Sequence, residues 1–130
     1  MNINEYRKQQ KQRLWKVWAS PFSGKTHCLL CKANGKVTEA TDMHEPIPRR
    51  WTQSNETARV LSYAVEITTP LCRECNLKAD NDDDRNALLD ICREKFGPIV
   101  DALIIAIDNQ IGISVTKYLE TERKEHNDSE

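Results

Sequence analysis

Four of the five cysteines fall into two pairs with the same internal spacing. Cys28 and Cys31 form one Cys-x-x-Cys pair, Cys72 and Cys75 form the other, and 40 residues separate the pairs. Four thiolates arranged in this way match tetrahedral Zn²⁺, which binds sulfur well and closes structural sites with four protein ligands. The spacing therefore predicts a structural zinc site that ties two distant parts of the chain together.

The fifth cysteine, Cys92, has neither a cysteine nor a histidine near it and lies on the apolar face of a predicted helix. We expect a buried, unreactive thiol there. An odd number of cysteines without an export signal favours a reducing compartment, where paired cysteines bind metal. The basic N-terminus has no signal-peptide core, and no apolar run approaches a membrane span, so we expect a cytoplasmic protein.

A second group of polar residues lies between the cysteine pairs and just after them. Asp42, His44 and Glu45 fall at the end of a predicted strand, and Asp42 and His44 share one face because strand side chains alternate. Asn76 directly follows the last paired cysteine. Asp80 lies four residues later, on the same face of a predicted helix.

The elements that position these residues predict an α+β fold. In order, we expect a basic helix over 3–19, a strand over 36–45, a loop over 49–58, a strand over 60–68, a helix from the second cysteine pair to about residue 80, a helix over 84–96 and an apolar helix over 99–119. Gly97 is expected to end the helix before it, and Gly112 to break or kink the last one.

Charge is distributed unevenly along the chain, and one predicted helix is strongly apolar. Residues 1–50 hold ten Lys/Arg and four Asp/Glu, whereas residues 51–130 hold nine and sixteen. The basic N-terminal helix either packs with one solvated face or reaches phosphate groups. The apolar helix must be covered by the rest of the domain or by a second chain, and we favour a homodimer through residues 99–119.

The order of these features resembles the HNH (ββα-metal) endonuclease superfamily in its zinc-stapled treble-clef form. That family has a Cys-x-x-Cys pair, a strand ending in Asp-His or His-His, a loop, a second strand, and a second pair followed by His or Asn at a helix start. This chain has CLLC at 28–31, DMHEPI at 42–47 and LCRECN at 71–76. The resemblance implies a small intracellular member of the kind that phages encode in bacterial hosts.

The resemblance also implies a division of the chain. We expect a basic N-terminal helical arm, a zinc-bound ββα core, a C-terminal helical region and a charged tail, over residues 1–25, 26–82, 83–120 and 121–130.

Roles for the polar group follow from the same resemblance. Asn76 matches the helix-side ligand of a divalent cation, and neighbouring oxygens such as those of Asp80 suit Mg²⁺ or Mn²⁺. Two registers fit the strand end. In one, His44 binds the cation and Glu45 is the general base; in the other, His44 is the base and Asp42 reaches the cation. We favour the first, although Asn76 could act only as a helix cap and His44 only as a structural residue.

Arg49, Arg50 and Trp51 follow these residues on the predicted loop. The arginines could clamp a phosphate and Trp51 could stack on a base, or the loop could be solvated with one packing aromatic. His27 is expected to have no role.

Together these features predict a metal-dependent DNA endonuclease. The alternative is a catalytically inactive, zinc-stapled binding module, an adaptor or inhibitor with a protein partner, which the imperfect pair at 43–45 and the acidic C-terminal half favour. A zinc-ribbon transcription factor is a third reading.

Overall fold

A short antiparallel sheet and seven α-helices make up the computed structural model, which describes residues 2–115, 117 and 119. The elements are α1 (Ile3–Val17), α2 (Leu29–Ala33), β1 (Asp42–His44), α3 (Arg49–Thr52), α4 (Glu56–Ser62), β2 (Thr69–Leu71), α5 (Arg73–Lys78), α6 (Asp82–Phe96) and α7 (Ile99–Ile111). A 3₁₀ turn, Val65–Ile67, lies between α4 and β2. The expected α+β class is confirmed.

The sheet is small but buried on both faces. β1 pairs with β2 so that Asp42 lies opposite Leu71 and His44 lies opposite Thr69, and every residue of both strands is buried. The intervening Met43 packs with Leu14 of α1 and with Val65. Because side chains alternate along a strand, the polar residues of β1 face away from this apolar contact.

The segment between the strands differs from the prediction. The expected loop over 49–58 contains α3 and the start of α4, and the expected strand over 60–68 contains the end of α4 and the 3₁₀ turn instead. Asn55 begins α4, because its side-chain oxygen accepts a hydrogen bond from the Ala58 amide at 2.9 Å. Ala58 and Ser62, the buried residues of α4, are four positions apart and therefore lie on one face of the helix. The cap and the helical burial pattern of α4 therefore outweigh the β-branched composition of this stretch.

The helices outside this segment lie close to their predicted positions. α1 ends two residues before the predicted bound, and α6 begins two residues earlier, after its cap Asn81. Gly97 ends α6 at a φ of 75°, and Gly112 ends α7 at 73°, a left-handed conformation that glycine adopts without strain. α7 is therefore shorter than the predicted helix over 99–119, and the charged tail lies outside the described residues.

Most of α7 is covered by the chain itself. Ile104 and Ile107 are buried in a cluster with Ile47 and Leu89, whereas Ile105 remains 58% exposed. The packing of the domain thus covers one face of α7, and the homodimer through residues 99–119 stays a prediction. Of the helices in the described part of the chain, none has both the length and the apolar character needed to cross a bilayer.

Adjacent isoleucines of α7 test this packing. Ile104→Ala should lower the free energy of unfolding by about 2–5 kcal/mol, because it opens a cavity among fully buried side chains. Ile105→Ala removes the same atoms from a solvated position and should cost less than about 1 kcal/mol. Urea unfolding of the two variants measures the difference, and equal losses would contradict the packing described.

Candidate metal centre and arginine-lined cavity

The two cysteine pairs meet in one cluster. One sulfur from each of Cys28, Cys31, Cys72 and Cys75 lies within 4.8 Å of all the others. The Cys31 Sγ is 3.9 Å from the Cys72 Sγ and 3.6 Å from the Cys75 Sγ. A tetrahedral site with Zn–S bonds of about 2.3 Å requires S–S separations of about 3.8 Å. The four residues therefore form a cluster that can hold a structural metal such as zinc.

Each pair is built in the same way at the start of a short helix. Cys28 caps α2 and Cys72 caps α5, and each Sγ accepts a hydrogen bond of 3.5 Å from the amide of the second cysteine in its pair. A helix N-terminus favours negative charge, so both positions suit a thiolate. The two pairs have equivalent local geometry despite the 40 residues between them.

Burial and hydrogen bonding shift the pKa of three thiols of the cluster. Burial raises the pKa of Cys28 and that of Cys75, whereas a hydrogen bond with Thr38 lowers the pKa of Cys31. Grouped thiolates at this depth need a positive charge beside them, which a bound zinc ion supplies. Cys92 lies apart from the cluster and is fully buried as expected, and this burial raises its pKa to about 12.

A cavity of about 420 Å³ opens beside β1 and α5. His44 and Glu45, at the end of β1, and Asn76 and Asp80, in and after α5, line it together with Met43. The polar residues that the sequence separates by more than thirty positions are thus neighbours in space. Asp42 is not among the lining residues.

Asp42 instead orients Asn76. One carboxylate oxygen of Asp42 accepts a hydrogen bond from the Asn76 Nδ2 at 2.9 Å and forms an ion pair with the Arg73 Nε at 2.7 Å, and the other accepts a hydrogen bond from the Thr41 hydroxyl at 2.9 Å. Burial raises the pKa of this carboxyl, but these three partners outweigh it and hold the pKa below its usual range. Asp42 is therefore an ionised, fully engaged group behind the cavity wall.

His44 is 6% exposed, and its Nδ1 has no hydrogen-bond partner among the described residues. Burial and, to a lesser extent, the positive charge of Arg85 lower the pKa of the imidazole to about 4, against the opposing charges of Asp80 and Asp84. The ring is consequently neutral at physiological pH. A neutral imidazole with an unpartnered nitrogen can accept a proton or bind a cation.

Four arginines, from α1, α3 and α6, complete the cavity lining: Arg7, Arg49, Arg50 and Arg85. Glu45 lies among them with its side chain 15% exposed, and its ion pair with Arg7 is long, at 3.9 Å. Burial raises the pKa of Glu45, while the surrounding arginines act in the opposite direction. Four guanidinium groups against two lining carboxylates make the cavity suited to an anion.

Arg85 links the residues on two sides of the cavity wall. It is 8% exposed and donates hydrogen bonds to the backbone carbonyls of Glu45 at 2.9 Å and Pro46 at 3.0 Å. The same guanidinium forms a short ion pair with Asp80, which lowers the pKa of that carboxyl. Arg50 reaches Asp80 only at 3.9 Å.

Sequence reasoning overlooked two of these arginines, Arg7 and Arg85. Arg7 lies in the basic stretch that the sequence does show, but its orientation depends on how α1 packs. Arg85 follows a run of aspartates that resembles a helix cap, so no local signal distinguishes it. The predicted group at 49–51 is divided: Arg49 and Arg50 line the cavity, whereas the Trp51 ring packs on the main core cluster with the Arg50 guanidinium 5.1 Å from its centre.

The cysteine cluster can be tested by metal analysis. The purified protein should contain one zinc ion per chain, and a strong chelator should lower its melting temperature, because metal binding is coupled to folding. Cys75→Ser should lose the metal. Cys92→Ala, which also removes a buried thiol, should keep it. A chain without bound zinc and with an unchanged melting temperature in chelator would contradict the assignment.

The low pKa of His44 predicts a pH dependence of stability. The unfolded imidazole binds a proton below its ordinary pKa of about 6.5, but the folded one does so only near 4, so stability falls as the pH drops through this range. At about pH 5.5 the loss should be on the order of 1 kcal/mol. His44→Gln should lack this component. Urea unfolding of both proteins from about pH 7.5 to about pH 5.5 measures it, and parallel pH profiles would contradict it.

Comparisons with known proteins identify no relative of this chain. No family model, no curated protein and no solved structure matches the chain. What the chain can do must therefore be argued from its own cysteine cluster and cavity.

Proposed function

We propose that the protein is a metal-dependent DNA endonuclease of the HNH type, with a treble-clef (ββα-metal) core stapled by zinc. The proposal rests on the position of three polar residues at the arginine-lined cavity. The buried His44, with its unpartnered Nδ1, lies on the wall of an arginine-lined cavity beside Glu45 and Asn76. Because Asn76 directly follows the cysteine pair of α5, the cluster that can hold zinc also anchors one wall of this cavity.

Two neutral donor atoms at the cavity are available to a divalent cation such as Mg²⁺ or Mn²⁺. His44 offers its Nδ1, and Asn76 offers its amide oxygen because its amide nitrogen donates to Asp42. With both oxygens of Asp42 engaged by protein groups, the register in which His44 binds the cation is better supported than the one that uses Asp42. A cation held there would stabilise the charge that develops on a phosphodiester during hydrolysis.

Glu45 is then the general base. Its side chain is shielded from water, and burial raises its pKa towards the range in which a carboxylate takes a proton from water at neutral pH. Arg7, Arg49 and Arg50 supply guanidinium groups that can bind the non-bridging oxygens of a phosphate. Arg85 positions the base through the backbone of Glu45.

A catalytically inactive binding module is the second candidate, and one observation favours it. Within residues 2–115, 117 and 119, the cysteine cluster is the one group of three or more His, Cys, Asp or Glu side chains arranged to hold a metal. Asp42 and Asp80 face Arg73 and Arg85 instead. On this reading the cavity binds an anionic group of a partner without cleaving it.

Nicking of supercoiled plasmid DNA in the presence of Mg²⁺, Mn²⁺ or neither ion separates the two candidates. Wild type should nick in a metal-dependent manner, and His44→Ala and Glu45→Gln should each lose about 10²–10⁴-fold in rate. His27→Ala is the matched control, because His27 is half-buried and does not line the cavity, and it should nick normally.

Three outcomes are informative. Full activity of Glu45→Gln with loss in His44→Ala would transfer the role of base to His44. Equal nicking by wild type and His44→Ala would contradict the proposed site. Absence of nicking by folded, zinc-loaded wild type in every metal condition would favour the binding module.

A further inference from the structure

We propose that α1 is a phosphate track, along which the backbone of a DNA duplex extends from the arginine-lined cavity to a second cleft. This inference rests on the proposed function, because it specifies the substrate of the same site. The second cleft, here called the Trp15 cleft, has a volume of about 350 Å³ and lies where α1 ends. The side chains of Trp15, Lys16, Lys25, Thr26 and Glu39 line it.

One face of α1 connects the two openings. Arg7, Lys11 and Trp15 are four residues apart, so they lie one above the other on successive turns. Arg7 lines the cavity and Trp15 lines the cleft. Between them, the Lys11 ammonium lies 5.7 Å from the centre of the Trp15 ring, a cation–π contact that holds this charge on the connecting face.

Two chain segments limit the separation between the openings. The eight residues from Arg7 to Trp15 rise about 12 Å along the helix axis. The segment from Ala40, in the cleft, to His44, in the cavity, spans at most about 13 Å of extended chain. One strand of B-form DNA advances about 3.4 Å per phosphate along its axis, so this distance corresponds to about four nucleotides.

The charges along the track are available for a ligand. In the part of the chain that the structure describes, Lys11, Lys16 and Lys25 form no ion pair, although Lys78 and Arg93 are paired with neighbouring carboxylates. Among the described residues, Glu39 is the one carboxylate that lines the cleft. Lys11 on the connecting face and Lys16 and Lys25 at the cleft thus offer positive charge, without a carboxylate partner, to the negative charges of a phosphate backbone.

The track defines a class of substrate. It favours a duplex that continues for about four base pairs beyond the cleaved bond on one side, over a mononucleotide or a very short fragment. Contacts to phosphates position a duplex without reading its sequence, so this part of the interface is independent of sequence. The basic half of the chain thus provides an anchor, while the cavity provides the reacting groups.

The salt dependence of DNA binding tests the track. Binding of a fluorescent random-sequence duplex is measured by anisotropy at several salt concentrations, without added Mg²⁺ or Mn²⁺. The combined variant Lys11→Ala, Lys16→Ala and Lys25→Ala should bind about 10- to 100-fold more weakly at low salt. The slope of log affinity against log salt should fall in magnitude by about 2.7, or about 0.9 for each lysine substituted alone.

A control of equal charge change replaces Lys32, Lys36 and Lys95, which line neither opening, by alanine. This control should keep the wild-type slope. Equal slopes in wild type and the track variant, or equal losses in the track and control variants, would overturn the track. Zinc content and circular dichroism verify that each variant is folded, and the single substitutions remain informative if the combined variant is not.

The same proteins are also assayed for plasmid nicking, which separates this inference from the proposed function. Wild-type binding that depends on the three lysines, without nicking in any metal, would support the track and contradict the endonuclease. Nicking by wild type with an unchanged salt slope in the track variant would support the endonuclease and overturn the track.

Discussion

The meeting of four cysteine sulfurs is the constraint on which the rest of this structure depends. α2 and α5 are five and six residues long, too short to persist as isolated helices, and each begins at one cysteine of the cluster. β2 leads directly into the second pair, and β1 is held by β2. The cysteine cluster therefore fixes both the position of His44 at the end of β1 and that of Asn76 in α5.

Beside the cysteine cluster, two ion pairs neutralise part of the charge around the cavity. Behind the wall, Asp42 neutralises Arg73 and orients Asn76; at the wall, Arg85 engages Asp80 and two backbone carbonyls. The other arginines of the lining, Arg7, Arg49 and Arg50, keep the cavity positively charged. Asp42 and Asp80, the carboxylates with lowered pKa values, are thus held in ion pairs, whereas His44, with its unpartnered Nδ1, and Glu45, with its long ion pair, are residues of the cavity lining.

The sequence predicts this arrangement unevenly, for physical reasons. Repeated Cys-x-x-Cys spacing, helix caps and stop glycines are local signals, so the cysteine cluster and the positions of α1 and α6 could be foreseen. The segment 60–68 was wrongly predicted as a strand, because its β-branched residues mask a helical pattern that begins at the Asn55 cap. The separation of Asp42 from the cavity and the arrival of Arg85 depend on tertiary packing, which no short pattern encodes.

The composite origin of the arginines has a consequence for inheritance and engineering. Arg7 comes from α1 and Arg85 from α6, on either side of the segment 26–82 that holds both cysteine pairs. A recombination event that transplanted this segment alone would carry the cysteine cluster intact but leave behind half of the guanidinium groups of the cavity. The complete cavity therefore cannot be transferred with the segment 26–82 alone. Selection on the cavity must act on α1 and α6 together with the metal-binding core.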